Sequence, residues 1–411
     1  MLVQMIEYIQ GVKVMKTIKR EKYLNELIRV KGTPDIKVIT GIRRSGKSKL
    51  LESFIEYLKE NDKKANIVYI DFNNLENEEL QDYHNLHAYV LSRYKKAWNN
   101  YLFIDEVQNC IGFEKAINSL HSKEMFDIYV TGSNAFLLSS DLATLFTGRT
   151  YSIEVFPFSF NEYLQYFKYK DKYKAFDLYL NEGGMSGSYV HKDLKDKYKY
   201  IKEVYETLIY RDIIQKYKVK KTDIFEKISD YMIDNVSAQL SAGNIEKELK
   251  KHNDKTNHTT IDKYINYLCN SFGFYKIRRY NLKGLRYLST NEKYYLADYA
   301  FRYALHGTKN IDYGKALENI VAIELLRRGY QVYTGALYQK EIDFVAQKQN
   351  EKIYIQVSYN VSNKETLNRE LNPLLSIKDN YPKILISRTY EPKHDIKGID
   401  IIDITDWLMN E

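Results

Sequence analysis

The run Gly41-Ile42-Arg43-Arg44-Ser45-Gly46-Lys47-Ser48 follows an apolar stretch of strand length, Ile36-Lys37-Val38-Ile39-Thr40, and precedes residues 49–58, whose apolar spacing is helical. A strand, a glycine-bounded turn and a helix in that order predict a phosphate-binding loop. Gly41 and Gly46 let backbone N–H groups turn inward around phosphates, with Arg44 and Ser45 between them. Lys47 would reach the outer phosphates, Ser48 would ligate magnesium, and the positive end of the helix carrying Lys49 adds to the cradle. The competing reading is an ordinary glycine turn, which a second signal downstream weighs against.

That signal is Tyr101-Leu102-Phe103-Ile104-Asp105-Glu106, an apolar strand running into adjacent carboxylates. In this setting Asp105 would hold the magnesium shell. Glu106 would be the general base that polarises water for attack on the terminal phosphate. Further strands are predicted at 67–72, 126–131 and 151–156, so that five strands alternate with helices in a parallel αβα sandwich. The extra strand between loop and acidic motif, and the Glu beside the Asp, mark the hydrolytic branch of these folds that includes the AAA+ ATPases. Thr131-Gly132-Ser133-Asn134 falls where that branch keeps a sensor of the γ-phosphate, and either Ser133 or Asn134 fits that role. A capped turn before the next helix accounts for the same residues.

At 411 residues the chain is long enough for two to four domains. Its 44% hydrophobic and 28% charged content is that of a globular protein. The net charge of +8 permits nucleic-acid binding without demonstrating it. Cys110 and Cys269 have no metal-ligand companions, no apolar run approaches a bilayer span, and the N-terminus lacks a secretory pattern. These features predict a cytoplasmic protein with no membrane partner. Met15-Lys16-Thr17 reads as a second start, so residues 1–15 are an N-terminal extension to an ATPase core over 16–156.

Residues 157–218 read as an α-helical lid broken by Gly183-Gly184-Met185-Ser186-Gly187. Over 219–298, helices near 223–235, 241–251 and 259–271 and short strands at 274–277, 285–287 and 293–296 describe a winged helix. Arg278, Arg279, Lys283 and Arg286 lie on or beside its wing, where they would touch phosphates; a solvated basic hairpin explains them equally. In 299–411 a helix at 313–328, strands at 331–334, 342–346 and 353–357, a helix at 364–378 and a strand at 383–387 suit a restriction-endonuclease-like α/β domain. Such nucleases hold magnesium with carboxylates and orient water with a Lys. Glu318 and Asp343 sit where two metal ligands belong. The acid-x-Lys motif of the next strand is replaced by Gln356-Val357-Ser358, which predicts a degenerate, inactive module, and Asp343 also reads as a structural hydrogen-bond acceptor.

The whole arrangement resembles a prokaryotic family of AAA+ ATPases with a PD-(D/E)xK nuclease-like C-terminal domain of unknown function. The resemblance rests on Thr40 to Ser48, Asp105-Glu106-Val107-Gln108, Thr131-Gly132-Ser133, Gly148-Arg149, Pro157-Phe158-Ser159-Phe160, Tyr210-Arg211-Asp212-Ile213, Tyr294-Tyr295-Leu296-Ala297-Asp298, Leu317-Glu318-Asn319 and Glu341-Ile342-Asp343-Phe344. It implies ATP binding with magnesium, hydrolysis, and self-assembly or a partner protein. Within it Arg149 falls where relatives place an arginine that reaches a neighbouring subunit's nucleotide, although a lid-pairing arginine also fits; Arg211 is a second candidate, and a pair with Asp212 explains it equally. Three functions follow as expectations: a Mg-ATPase that acts on nucleic acid or a partner, an ATP-gated nuclease using Glu318, Glu341 and Asp343, and a nucleotide-dependent scaffold that does not hydrolyse.

Overall fold

The computed structural model describes residues 18–132, 146, 148–254, 256–282, 286–309, 311–338 and 340–410, with short paired strands at Tyr8–Ile9 and Val12–Lys13. Two compact units divide at Pro157 and Phe158. No helix among the described residues is long and apolar enough to cross a membrane.

The first unit is built on β1 (Ile36–Thr40), β2 (Ala65–Asp71), β3 (Asn99–Asp105), β4 (Asp127–Thr131) and β5 (Thr150–Glu154), in spatial order β2-β3-β4-β1-β5 with every pairing parallel. All of β1 is buried, and so is β3 beyond its first residue, which is why both read as continuous apolar runs rather than alternating ones. Alternate side chains still serve opposite faces. Tyr101 and Phe103 of β3 meet α1 (Glu21–Val30) and α2 (Lys47–Asn61) through Leu27, Leu51, Phe54 and Leu58. Leu102 and Ile104 meet α3 (Tyr83–Ser92) and α4 (Phe113–Ser122) through Leu86, Val90, Ile117 and Leu120. The predicted αβα sandwich is therefore present, with its strand ends within two residues of their expected positions.

The amino ends of β1 and β4 are closed by a buried ion pair. Lys37, fully buried, places its Nζ 2.6 Å from Asp127 Oδ1 and 2.6 Å from the Thr33 carbonyl oxygen, while Gly32 N–H and Tyr129 OH both donate to Asp127 Oδ2 at 2.8 Å. With the ammonium so satisfied, a lysine can stand in the middle of an otherwise apolar strand.

The second unit begins with α5 (Phe160–Phe167), started by a capping box of Ser159 and Glu162, and α6 (Lys172–Glu182). Then comes α7 (Leu194–Thr207), which runs on as a π-helical turn over Leu208–Gln215 that exposes Arg211 and buries Asp212. Next in order are α8 (Thr222–Asp234), β6 (Gln239–Leu240), α9 (Ala242–Lys251), α10 (His258–Asn270), β7 (Phe274–Asn281), β8 (Arg286–Leu296) and α11 (Ala300–His306). The chain then forms α12 (Tyr313–Arg327), β9 (Gln331–Leu337), β10 (Lys340–Lys348), β11 (Glu351–Ser358), α13 (Lys364–Leu375), β12 (Lys383–Ser387), β13 (His394–Ile396), β14 (Ile399–Asp403) and α14 (Ile404–Met409).

Three helices and a hairpin stand where a winged helix was expected, but the hairpin is not a free wing. The sheet is continuous over nine strands in the order β13-β14-β12-β11-β10-β9-β7-β8-β6. It is joined by a parallel pairing of β7 with β9 from Arg278↔Tyr333 to Asn281↔Ala336. The two short strands expected at 285–287 and 293–296 are one strand, β8, with a register shift against β7 between Leu288 and Lys293. Arg278 stays exposed on the sheet face and Arg279 is half-buried with its Nε–H enclosed; Arg286 opens β8 opposite Asn281, and Lys283 lies outside the described residues.

Candidate nucleotide-binding site

Three backbone positions set the shape of the loop after β1. Gly41 (φ 132°), Arg44 (φ 65°) and Gly46 (φ 97°) all lie at positive φ. A Cβ at Gly41 would sit 2.2 Å from the Val155 carbonyl oxygen, so only glycine lets the loop leave β1 against the end of β5. α2 starts at Lys47, directly after Gly46, and turns its first N–H groups toward the loop. The buried Lys47 ammonium donates to the Gly41 and Ile42 carbonyl oxygens, each at 3.0 Å. Ser45 Oγ is buried with no hydrogen-bond partner.

A residue that sequence reasoning missed braces this loop. Arg20, 5% exposed and lying over the Tyr23 ring at 4.6 Å, donates from Nη1 to the Ser45 carbonyl oxygen at 2.8 Å. A lone arginine ahead of a helix carries no local signal of that role. Arg20→Ala is expected to raise the KM for ATP by about tenfold with kcat changed less, from the loss of one charge-assisted hydrogen bond; equal losses in both constants would place Arg20 in the chemical step instead.

Asp105 and Glu106 end β3 at the same sheet edge. Asp105, 1% exposed, accepts a hydrogen bond from the Thr131 hydroxyl and has the Ser48 hydroxyl close by. Burial pushes its carboxyl up, those two hydroxyls pull it down, and the neighbouring Glu106 and Asp71 carboxylates push it up again. Glu106 adopts a left-handed backbone (φ 55°), its N–H donates to Thr131 Oγ1 at 3.0 Å, and its carboxylate accepts from the Gln108 side-chain amide. Thr131 thus bridges both acidic residues from the tip of β4; the sequence marks it only as a neighbour of the expected sensor. Ser133 and Asn134 themselves lie outside the described residues.

The structure brings Lys47, Ser48, Asp105 and Glu106 to the carboxyl edge of one sheet, after β1 and β3 with β4 between them, and it places Arg149 elsewhere. Arg149 is exposed just before β5, its carbonyl accepting from Ile36 N–H at 2.9 Å, level with the first residue of β1. At about 3.3 Å per strand residue that is roughly 13–16 Å from the loop that follows Thr40, beyond the reach of its side chain.

The second unit gathers the other predicted cluster. Lys293 Nζ of β8 lies 2.9 Å from Glu318 Oε1, 2.8 Å from Glu341 Oε1 and 3.9 Å from Asp343 Oδ1. Tyr295 OH donates to Glu318 Oε1 at 2.7 Å, the Gln239 amide donates to Glu341 Oε2, and Val357 N–H donates to Asp343 Oδ2 at 2.8 Å. Burial works against the Lys293 ammonium, but Glu318, Asp343 and Glu341 together hold its pKa above the ordinary lysine value. Burial, then Glu318, pushes Asp343 well up. Gln356 offers its Oε1 to Asp343 N–H at 3.4 Å and its amide to Glu370 at 3.1 Å, so it is engaged as a structural partner.

Residues 33–164 match a family model described as an AAA domain; 173–312 and 313–407 match two domains of unknown function, DUF8612 and DUF4143. An uncharacterized protein of Haemophilus influenzae is 37% identical over 397 residues, 95% of this chain and 98% of that one. The chain belongs to its family. The uncharacterized protein MJ1544 of Methanocaldococcus jannaschii is 30% identical over 373 residues, 85% of this chain and 81% of its own. Among solved structures, AMPPCP-bound DnaA from Aquifex aeolicus is 16% identical with a TM-score of 0.31, covering 62% of this chain and 89% of that chain. By the family match, residues 33–164 form an AAA domain, which supports an ATP-binding ATPase at a general level.

Proposed function

We propose that this chain is a magnesium-dependent AAA+ ATPase whose nucleotide state governs engagement of nucleic acid or a partner protein by the second unit. The observation that carries the proposal is the meeting of Ser48 and Asp105: the Ser48 hydroxyl, in the first turn of α2, lies close enough to the last carboxylate of β3 to pull its pKa down. In such folds that pair flanks the magnesium of the nucleotide. The residues fit the group. Gly41, Arg44, Ser45, Gly46 and Lys49 form the cradle and its rim, and the orphaned Ser45 hydroxyl is a buried donor of the kind a phosphate oxygen satisfies. Bound magnesium would be held through Ser48 and Asp105 and would neutralise charge building on the phosphates. Lys47 exchanges the Gly41 and Ile42 carbonyls for phosphate oxygens, and Glu106 takes the proton of the attacking water. Arg149, displaced from its own loop, acts on a neighbouring chain's nucleotide in an assembly.

Exposed Lys218, Lys220 and Lys221 precede α8, and Tyr217, at the end of the helix before them, stacks on Tyr267 of α10 with centroids 3.7 Å apart, which supports a polyanion as the second unit's ligand. The test is steady-state Mg-ATP hydrolysis over a range of protein concentrations, with and without duplex DNA, beside Glu106→Gln. Turnover that depends on Glu106 and rises with DNA or with concentration is expected. A rate equal to that of the variant under every condition would remove the ATPase reading.

One contact favours the scaffold as the second reading. The Gln108 amide engages the Glu106 carboxylate, a restraint suited to slow turnover. Gln108→Ala is expected to raise basal kcat several-fold; a lower rate would show that Gln108 helps to orient the base, and an unchanged one that the contact does not restrain turnover.

A further inference from the structure

A nuclease-like centre holds its metal where carboxylates from a helix and a strand converge. Here Glu318 of α12 and Glu341 and Asp343 of β10 do converge, but on the Lys293 ammonium. A divalent ion needs those oxygens at about 2.0–2.6 Å. An ammonium already 2.8–2.9 Å from two of them occupies the same space and repels a second cation. Other donors crowd the same carboxylates: Tyr295 shares Glu318 Oε1, Gln239 binds Glu341 Oε2, and Val357 N–H binds Asp343 Oδ2. Among the described residues no group of three or more His, Cys, Asp and Glu side chains is arranged to hold a metal ion. The residues present therefore do not fit a catalytic metal.

Lys293 reaches this point by strand geometry. It stands two residues before Tyr295, so both side chains leave β8 on one face and meet Glu318 together. Its strand partner across β6 is Gln239, whose amide closes the far side of Glu341. One ammonium with three N–H donors satisfies carboxylates from two other elements.

We infer that Lys293 is a built-in cation that stands in place of the divalent metal, closing the nuclease-like centre to metal and tying β8 to α12 and β10. This rests on the nuclease-like reading of the C-terminal strands. It predicts that removing the ammonium, not restoring the missing acid-x-Lys motif, is what opens the centre to metal.

The test is Mn2+ binding followed by electron paramagnetic resonance on the full chain without nucleotide, in an Asp105→Asn background that removes the loop's own magnesium ligand. With Lys293 present, no saturable Mn2+ site that depends on Asp343 is expected. Lys293→Met should gain one Mn2+ per chain, bound at least tenfold more tightly, and adding Asp343→Asn should abolish it. Circular dichroism checks each fold, and Lys293→Gln, which keeps a donor for Glu318, serves if the Met variant does not fold. An Asp343-dependent site in the Lys293 protein would overturn the inference and revive a metal nuclease. No gain in either Lys293 variant would overturn the inference while leaving the degenerate reading intact.

Discussion

Lys47→Ala should weaken MgATP binding by about 100-fold and reduce hydrolysis to background. Lys47 is the one cation whose side chain is buried within the loop, where it is held between the Gly41 and Ile42 carbonyl oxygens. Its contact with a phosphate would be charge-assisted and shielded from water, worth up to about 3 kcal/mol, which corresponds to that loss in affinity. Because the charge on the phosphates grows as the terminal group is transferred, kcat should fall further than binding. Calorimetric titration with a non-hydrolysable ATP analogue separates the two effects. Affinity within threefold of the wild type would mean that this loop is not where the phosphates bind.

The second large effect concerns Asp298. Its carboxylate accepts from Gly184 N–H at 2.6 Å and Ala300 N–H at 2.9 Å, fastening the turn at Gly183-Gly184-Met185 to the start of α11. There is no room for another side chain: a Cβ at Gly183 would lie 2.2 Å from Asp298 Oδ1, and one at Gly184 2.3 Å from the Phe158 carbonyl oxygen. Burial pushes the Asp298 carboxyl up to about 6 from an ordinary 3.8, against the pull of the Ala300, Gly184 and Met185 N–H groups and Arg327. The folded protein therefore keeps this proton through a window in which the unfolded chain has lost it. Its stabilising contribution is complete below the unfolded pKa and falls as pH rises toward the folded one, by about 3 kcal/mol in all. Asp298→Asn cannot ionise. The stability of wild type minus that of the variant, from urea unfolding, should thus fall by about 2.4 kcal/mol between pH 4 and pH 7. A flat difference would show that the carboxylate is not desolvated in the folded state.

What the sequence disclosed and what it hid differ by the range of the interaction. The loop from Gly41 to Ser48 and the strand ending in Asp105-Glu106 are local patterns, and each element arose where its own residues placed it. Arg20 on Ser45, 25 positions away, and Thr131 on Asp105, 26 positions away, are contacts between elements and leave no mark in either segment alone. The cage around Lys293 was half legible. Glu318, Glu341 and Asp343 were named as ligands, whereas the lysine that fills their centre lies on a strand read as part of a separate hairpin. β13, with three residues, holds too few for a period to emerge, whereas β14 alternates as Ile399-Asp400-Ile401-Ile402-Asp403 and lies past the last strand read from the sequence.

The ladder between β7 and β9 also fixes where the polypeptide can be shortened. A fragment starting at residue 299 would lose β7 and leave the Tyr333–Ala336 edge of β9 bare, a row of backbone donors and acceptors that recruits further chains. Such a fragment should aggregate during expression, whereas one starting at Phe158 retains both strands and should elute as a discrete species. Nature faces the same constraint as the cloner: in a lineage that discards the helices and hairpin, the remaining sheet has to acquire a cover for that edge before it can exist as a free-standing protein.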